Sequence, residues 1–152
     1  MLRQNDLMLF TPLVSHCLGL ALLRQARNAE AFTAFAEVKA ETEALGMGSI
    51  NLRARPYVEL SAALVRSAPV SIQEFQIMHD LAWQQGYKGF AAEALVVQGA
   101  AMLQSVQADA QAASVCLRNG LRLAQDLGAT PLMNWASLLL GTVGPVPVEA
   151  AD

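Results

Sequence analysis

The segment LMLFTPLVSHCLGLALL, Leu7 to Leu23, contains no carboxylate, lysine or arginine. Its length is at the lower limit for crossing a bilayer. It is therefore buried either in lipid or in protein, and that choice decides the fold. A signal peptide needs a basic leader and a small-residue cleavage site after the apolar run. MLRQND, ahead of the run, holds one Arg and one Asp, and LLRQARNAEAF at its end offers no such site. Thr11, Pro12, Ser15 and His16 interrupt the run, which suits a minimal-length membrane span poorly. The same kind of helix also recurs downstream, each time beside an amphipathic partner. Leu7–Leu23 thus reads as the first inner helix of a stack, enclosed by its neighbours. No membrane partner is expected.

The composition agrees. Of the 152 residues 54% are hydrophobic and 15% charged, against roughly 25% charged in an ordinary soluble domain. The excess is Ala and Leu rather than aromatics. These are the strongest helix formers, and Ala lets helices approach closely. So few charges leave little to cover a surface, which favours an oligomer or a part of a larger assembly. The net charge is −3, and the ten basic residues are scattered. Arg53, Arg55 and Arg66 do not make the basic stripe of a nucleic-acid binder, so no direct nucleic-acid contact is expected. Cys17 and Cys116 read as buried reduced thiols of a cytoplasmic protein.

Internal periodicity gives the architecture. Three amphipathic helices end at Gly46, Gly86 and Gly128, 40 and 42 residues apart. A glycine just past a helix adopts the left-handed cap conformation without a Cβ penalty. After each glycine comes a helix rich in small apolar residues. Those helices, with Leu7–Leu23, carry Gly19, Ala62, Gly99 and Gly141 in mid-course, at spacings of 43, 37 and 42. A small residue there lets two helices cross closely. Seven helices are predicted, near 7–25, 29–45, 50–67, 71–85, 88–105, 110–127 and 131–143. Asn28 and Asp109 are expected as N-caps. Ser71 with Glu74 is expected as a capping box. One domain spans 1–143, and GPVPVEAAD, 144–152, is expected to be a disordered tail.

Leu18-Gly19 followed by Ala31 and Phe35, and Gly99 followed by Ala113, Leu117 and Gly120, resemble the tetratricopeptide helical repeat. The segment GLRLAQDLGATPLMNWASLLLG, 120–141, is similar to the variant in sensor arms of large bacterial transcription activators and nucleotide cyclases. The period is longer than that family's 34 residues, the Trp and Tyr anchors of its first helix are largely absent, and the unit 50–85 fits least well. The resemblance implies an all-α fold of antiparallel helix hairpins stacked as a short right-handed solenoid. It also implies a concave groove that partners use. If the first helix of each pair lines that groove, His16, Glu59 and Glu93 face it, with Arg66 near the end of its helix.

No catalytic constellation is present. His16 and Cys17 are adjacent on a helix and point about 100° apart. His16 reads as a buried, hydrogen-bonded histidine and His79 as exposed. Two histidines and two cysteines this scattered lack zinc spacing, so no metal or cofactor is expected. GMGSIN, 46–51, follows a helix rather than a strand and reads as a cap and turn. The ends are the remaining clue, because solenoids need polar capping helices. Trp135, Leu138, Leu139 and Leu140 are expected to leave an apolar face uncovered. Either the chain is a portion of a longer repeat protein, or that face pairs two copies in a homodimer. The expected function is a non-enzymatic scaffold for protein–protein interaction or self-association, of a bacterial regulatory or sensor type. The alternative is a sensor that holds a small molecule or peptide in the groove.

Overall fold

The computed structural model describes residues 4–66, 71–105 and 108–143, with no side-chain description for 4–9 and 66. The described residues form seven α-helices and no strand: α1 (Gln4–Arg24), α2 (Asn28–Ala44), α3 (Gly48–Arg66), α4 (Ile72–Gln84), α5 (Lys88–Gln104), α6 (Ala110–Asp126) and α7 (Thr130–Val143). The expected tail, 144–152, lies outside the described residues.

Four helix-to-helix turns share one hydrogen-bond pattern. At each, a residue in the left-handed region ends the helix: Ala26 (φ 57°), Gly46 (67°), Gly86 (80°) and Gly128 (66°). The next residue's N–H reaches back five residues, as in Arg27 to the Leu22 carbonyl (3.0 Å) and Met47 to Thr42 (2.8 Å). Tyr87 does the same to Ala82 (2.8 Å) and Ala129 to Ala124 (2.9 Å). This is the Schellman closure, which satisfies the last carbonyls of a helix. The glycine signal thus marks three of the turns, and alanine takes the fourth. GMGSIN is such a turn. Asn51, at its end, donates from Nδ2 to Thr42 Oγ1 (3.1 Å) and to the Lys39 carbonyl (3.2 Å), tying α3 to α2.

The N-caps divide. Asp109 accepts from the Ala112 N–H at 2.9 Å, as expected. Ser71 occupies the cap of α4 in extended conformation, but its side chain makes no cap bond, so the expected capping box does not form. Asn28 is the first helical residue rather than the cap. Arg27 takes that place, and its guanidinium pairs with Glu30.

Consecutive helices pack on one another. The odd-numbered helices also meet in series, α1 on α3, α3 on α5 and α5 on α7, whereas no two even-numbered helices touch. Glycines set the close approaches. A Cβ on Gly19 would lie 2.7 Å from the Phe35 ring, and one on Gly99 would lie 2.6 Å from Leu117 Cγ. Gly120 answers from α6, where a Cβ would lie 2.7 Å from Val96. Gly141 does not share this role, since nothing approaches it within 4 Å.

Phe35, Tyr57, Phe75, Met78 and Val97 centre the main core, and Val96, Leu117 and Ala136 a second one toward α7. α5 is buried on nearly every side. α1 is not, and here the expectation of an enclosed first helix needs correcting. Phe10 (55% exposed), Leu13, Val14 (66%) and Leu18 face outward, because α1 has only α2 and α3 against it. Cys17 is likewise exposed rather than buried, and both cysteines are free thiols. No helix among the described residues is long and apolar enough to cross a membrane.

Candidate functional site

The odd-numbered helices together frame an open groove of about 1020 Å³. α1 contributes Leu20, Leu23 and Arg24, and α3 contributes Arg53, Tyr57, Leu60 and Leu64. α5 contributes Phe90 and Glu93 at one end and Ala100 and Gln104 at the other. α7 closes it with Leu132, Asn134, Trp135, Leu138 and Leu139. The 3.6-residue period explains the choice: 53, 57, 60 and 64 recur on one face of α3.

A polar cluster sits within this apolar lining. Arg53 Nε donates to Glu93 Oε2 at 3.1 Å, and the Tyr57 hydroxyl donates to Glu93 Oε1 at 2.6 Å. The Arg53 guanidinium also lies over the Phe90 ring, 5.7 Å from its centroid. Glu93 is largely covered, so its charge is stabilised by two donors rather than by water. Burial, reinforced by the Glu93 carboxylate, pushes the Tyr57 phenol well above its ordinary value. Tyr57 therefore stays a hydrogen-bond donor. Arg24 is exposed at the groove's edge. The groove is thus lined by two arginines and one carboxylate, a surplus of one positive charge.

Behind the cluster, His16 is wedged between two rings. Its centroid is 5.4 Å from Phe35 and 5.3 Å from Tyr57, both edge-on. It is 1% exposed, and neither ring nitrogen has a hydrogen-bond partner. Burial, aided by the nearby Arg53 charge, pulls its pKa down to about 4. It is a neutral core residue, and the expected hydrogen bond is missing.

The sequence-derived candidates are therefore dispersed. Glu93 lines the groove, while His16 lies in the core behind it. Glu59 is half-buried and is not among the groove's lining residues, and the Arg66 side chain is outside the described residues. Of the α7 residues, Trp135, Leu138 and Leu139 line the groove, and Trp135 and Leu139 also pack on both cores. Leu140 packs on the second core alone, and Leu138 is 69% exposed. Arg53, Tyr57 and Arg24 were not singled out for the groove. Arg53 and Glu93 are 40 residues apart, one repeat period, and that period is the signal that relates them.

His79 is partly covered rather than open. It stacks on Trp83 at 6.2 Å and contacts Asp80 at 3.0 Å. Among the described residues no three His, Cys, Asp or Glu side chains gather as a metal site would require. Comparison of the chain with protein-family models, curated proteins and solved structures finds no match.

Proposed function

We propose that this chain is a tetratricopeptide-type helical-repeat module, built as antiparallel hairpins in a short right-handed solenoid, that binds a segment of another protein without catalysing a reaction. One observation carries the reading: alternate helices, α1, α3, α5 and α7, line a single groove. Repeat scaffolds present their partner surface in this way. The groove's chemistry names the occupant. Its lining offers Arg24 and Arg53 with only Glu93 against them, and an apolar wall of Leu132, Trp135, Leu138 and Leu139 from α7. The complementary ligand is a segment that combines a carboxylate with bulky apolar side chains. A bacterial regulatory setting fits such a module and belongs to the same proposal.

Selection from a random displayed peptide library tests it. Enriched peptides should pair an acidic residue with large apolar ones. In a Trp83→Phe protein, groove Trp135 is the sole tryptophan, so its fluorescence reports occupancy. Arg24→Glu and Leu138→Asp should each weaken binding tenfold or more. Failure to enrich any peptide, or binding by both variants as tight as that of the wild type, would sink the proposal.

A further inference from the structure

Arg24 and Arg53 both line the groove, but the fold treats them differently. Arg24 is exposed, and among the described residues its guanidinium has no hydrogen-bond or ion-pair partner. Arg53 is held on two sides. Its Nε donates to Glu93 Oε2 at 3.1 Å, and its guanidinium carbon lies over the Phe90 ring. Glu93 is itself fixed. It is largely covered, and its other oxygen accepts from the buried Tyr57 hydroxyl at 2.6 Å. A guanidinium carries five N–H donors in one rigid plane, and Glu93 engages only the one on Nε. Among the described residues Nη1 and Nη2 donate to nothing, on a side chain that lines the groove and is partly open to solvent.

We propose that Glu93 is a positioning residue: it holds Arg53 so that Nη1 and Nη2 take the two oxygens of the ligand's carboxylate. The inference rests on the reading of the groove as a site for an acidic, apolar protein segment, and it gives a groove carboxylate a part in binding another carboxylate. Two points favour positioning over charge balance alone. An arginine that only neutralises a carboxylate commonly does so with two parallel N–H bonds, whereas here one bond is made and the end of the fork is kept free. Holding a flexible arginine on a ligand also costs side-chain freedom. Glu93 and Phe90 have already removed that freedom from Arg53, so less is lost on binding. Coulomb's law alone gives Glu93 the opposite role, since a carboxylate in the groove repels an anion and offsets the Arg53 charge. The two accounts differ in sign.

The test uses the tightest peptide enriched from the displayed library, synthesised with its acidic side chain and with that side chain replaced by its amide. Both forms are titrated calorimetrically against the full chain. Arg53→Gln should weaken the acidic peptide tenfold or more. Glu93→Gln should weaken it three- to tenfold, although it removes a negative charge from the groove. In an Arg53→Gln protein the same Glu93→Gln change should tighten binding or leave it unchanged, since no guanidinium remains to be held. The amide peptide should bind all four proteins within twofold of one another. With no peptide present, the Arg53 Nε–H should give an NMR signal at pH 7 that exchanges slowly with water and is lost in Glu93→Gln. If Glu93→Gln bound the acidic peptide as tightly as wild type or more tightly, the positioning role would be overturned and the groove reading would stand. Equal weakening of the acidic and amide peptides would overturn it too, because a loosened fold acts on both. So would a rapidly exchanging Nε–H in the wild type. A selection that yields no peptide sinks the groove reading and this inference with it.

Discussion

α1 and α5 read alike as sequence. α1 is rich in Leu and α5 in Ala, both have a glycine in mid-course, and both are apolar almost all round. In the structure they differ. Val96 and Val97 of α5 are completely buried, while Val14 of α1 is 66% exposed. Gly19 and Gly99 meet a partner side chain at nearly the same distance, so each helix is locked to the one after it in the same way. What differs is the opposite side, where α5 has α3, α4 and α7 as well and α1 has α3 alone. An apolar circumference therefore marks a helix suited to neighbours on every side. It does not say that one chain supplies all of them.

The sharpest way to break this comparison is to put the same charge into both helices. Val97→Glu would bury a carboxylate in the main core, which Phe35, Phe75 and other apolar side chains build. An unpaired buried charge costs more than about 4 kcal/mol, a large part of the 5–15 kcal/mol by which domains are stable. Val97→Glu should lose its cooperative melting transition. Val14→Glu should stay within about 0.5 kcal/mol of wild type. If the two variants melted alike, the contrast between the helices would be void.

The second test concerns the side of α1 that is buried. His16 is neutral in the fold, with a pKa near 4 against 6.5 unfolded. The unfolded chain takes up a proton first as pH falls. His16 therefore leaves stability intact above about pH 6.5, erodes it between 6.5 and 4, and erodes it no further below that. The full loss is on the order of 3 kcal/mol. Arg53 is the charged group whose field bears on His16, and Phe35 and Tyr57 are the rings against it. His16→Leu removes the proton site along with two unsatisfied nitrogens. Urea melts at pH 7 and 5 should show wild type losing stability relative to His16→Leu. Parallel pH profiles for the two proteins would rule out a buried neutral histidine.

Much of this fold was legible because its signals are local. Helix ends follow the Gly46, Gly86 and Gly128 caps and the Asp109 cap to within a residue or two, since each is decided within one turn. The misses have local causes too. At Ser71 the cap backbone is right but the hydroxyl makes no bond. At Asn28 the preceding turn closes on Ala26, so Arg27 becomes the cap. The groove was less legible. Its polar cluster joins Arg53 to Glu93 across a full repeat, and the spacing of the mid-helix small residues varies from 37 to 43 residues between units. A few residues of slip rotate a helix face, so Glu93 could be placed and its partners could not. Which side of α1 lacks a neighbour depends on the whole packing and is written in no single segment.

α1 also differs from the other turn-closing helices in how it ends, and this gives the smallest and cleanest test. Ala26 holds φ 57° where glycines hold the equivalent positions at 46, 86 and 128. An L-residue in the left-handed region costs roughly 1–2 kcal/mol, and glycine avoids that at some expense in chain entropy. A Cβ at Gly86 would meet nothing within 4 Å, so Gly86→Ala isolates the backbone term from packing. It should lower stability by about 1 kcal/mol. Ala26→Gly is the reverse experiment, and after the entropy cost it should raise stability by a few tenths of a kcal/mol. Both shifts are within reach of urea denaturation analysed against wild type. A gain in Gly86→Ala, or a loss of 1 kcal/mol in Ala26→Gly, would mean that the four turns are not equivalent and that Ala26 is held by something other than the Schellman closure.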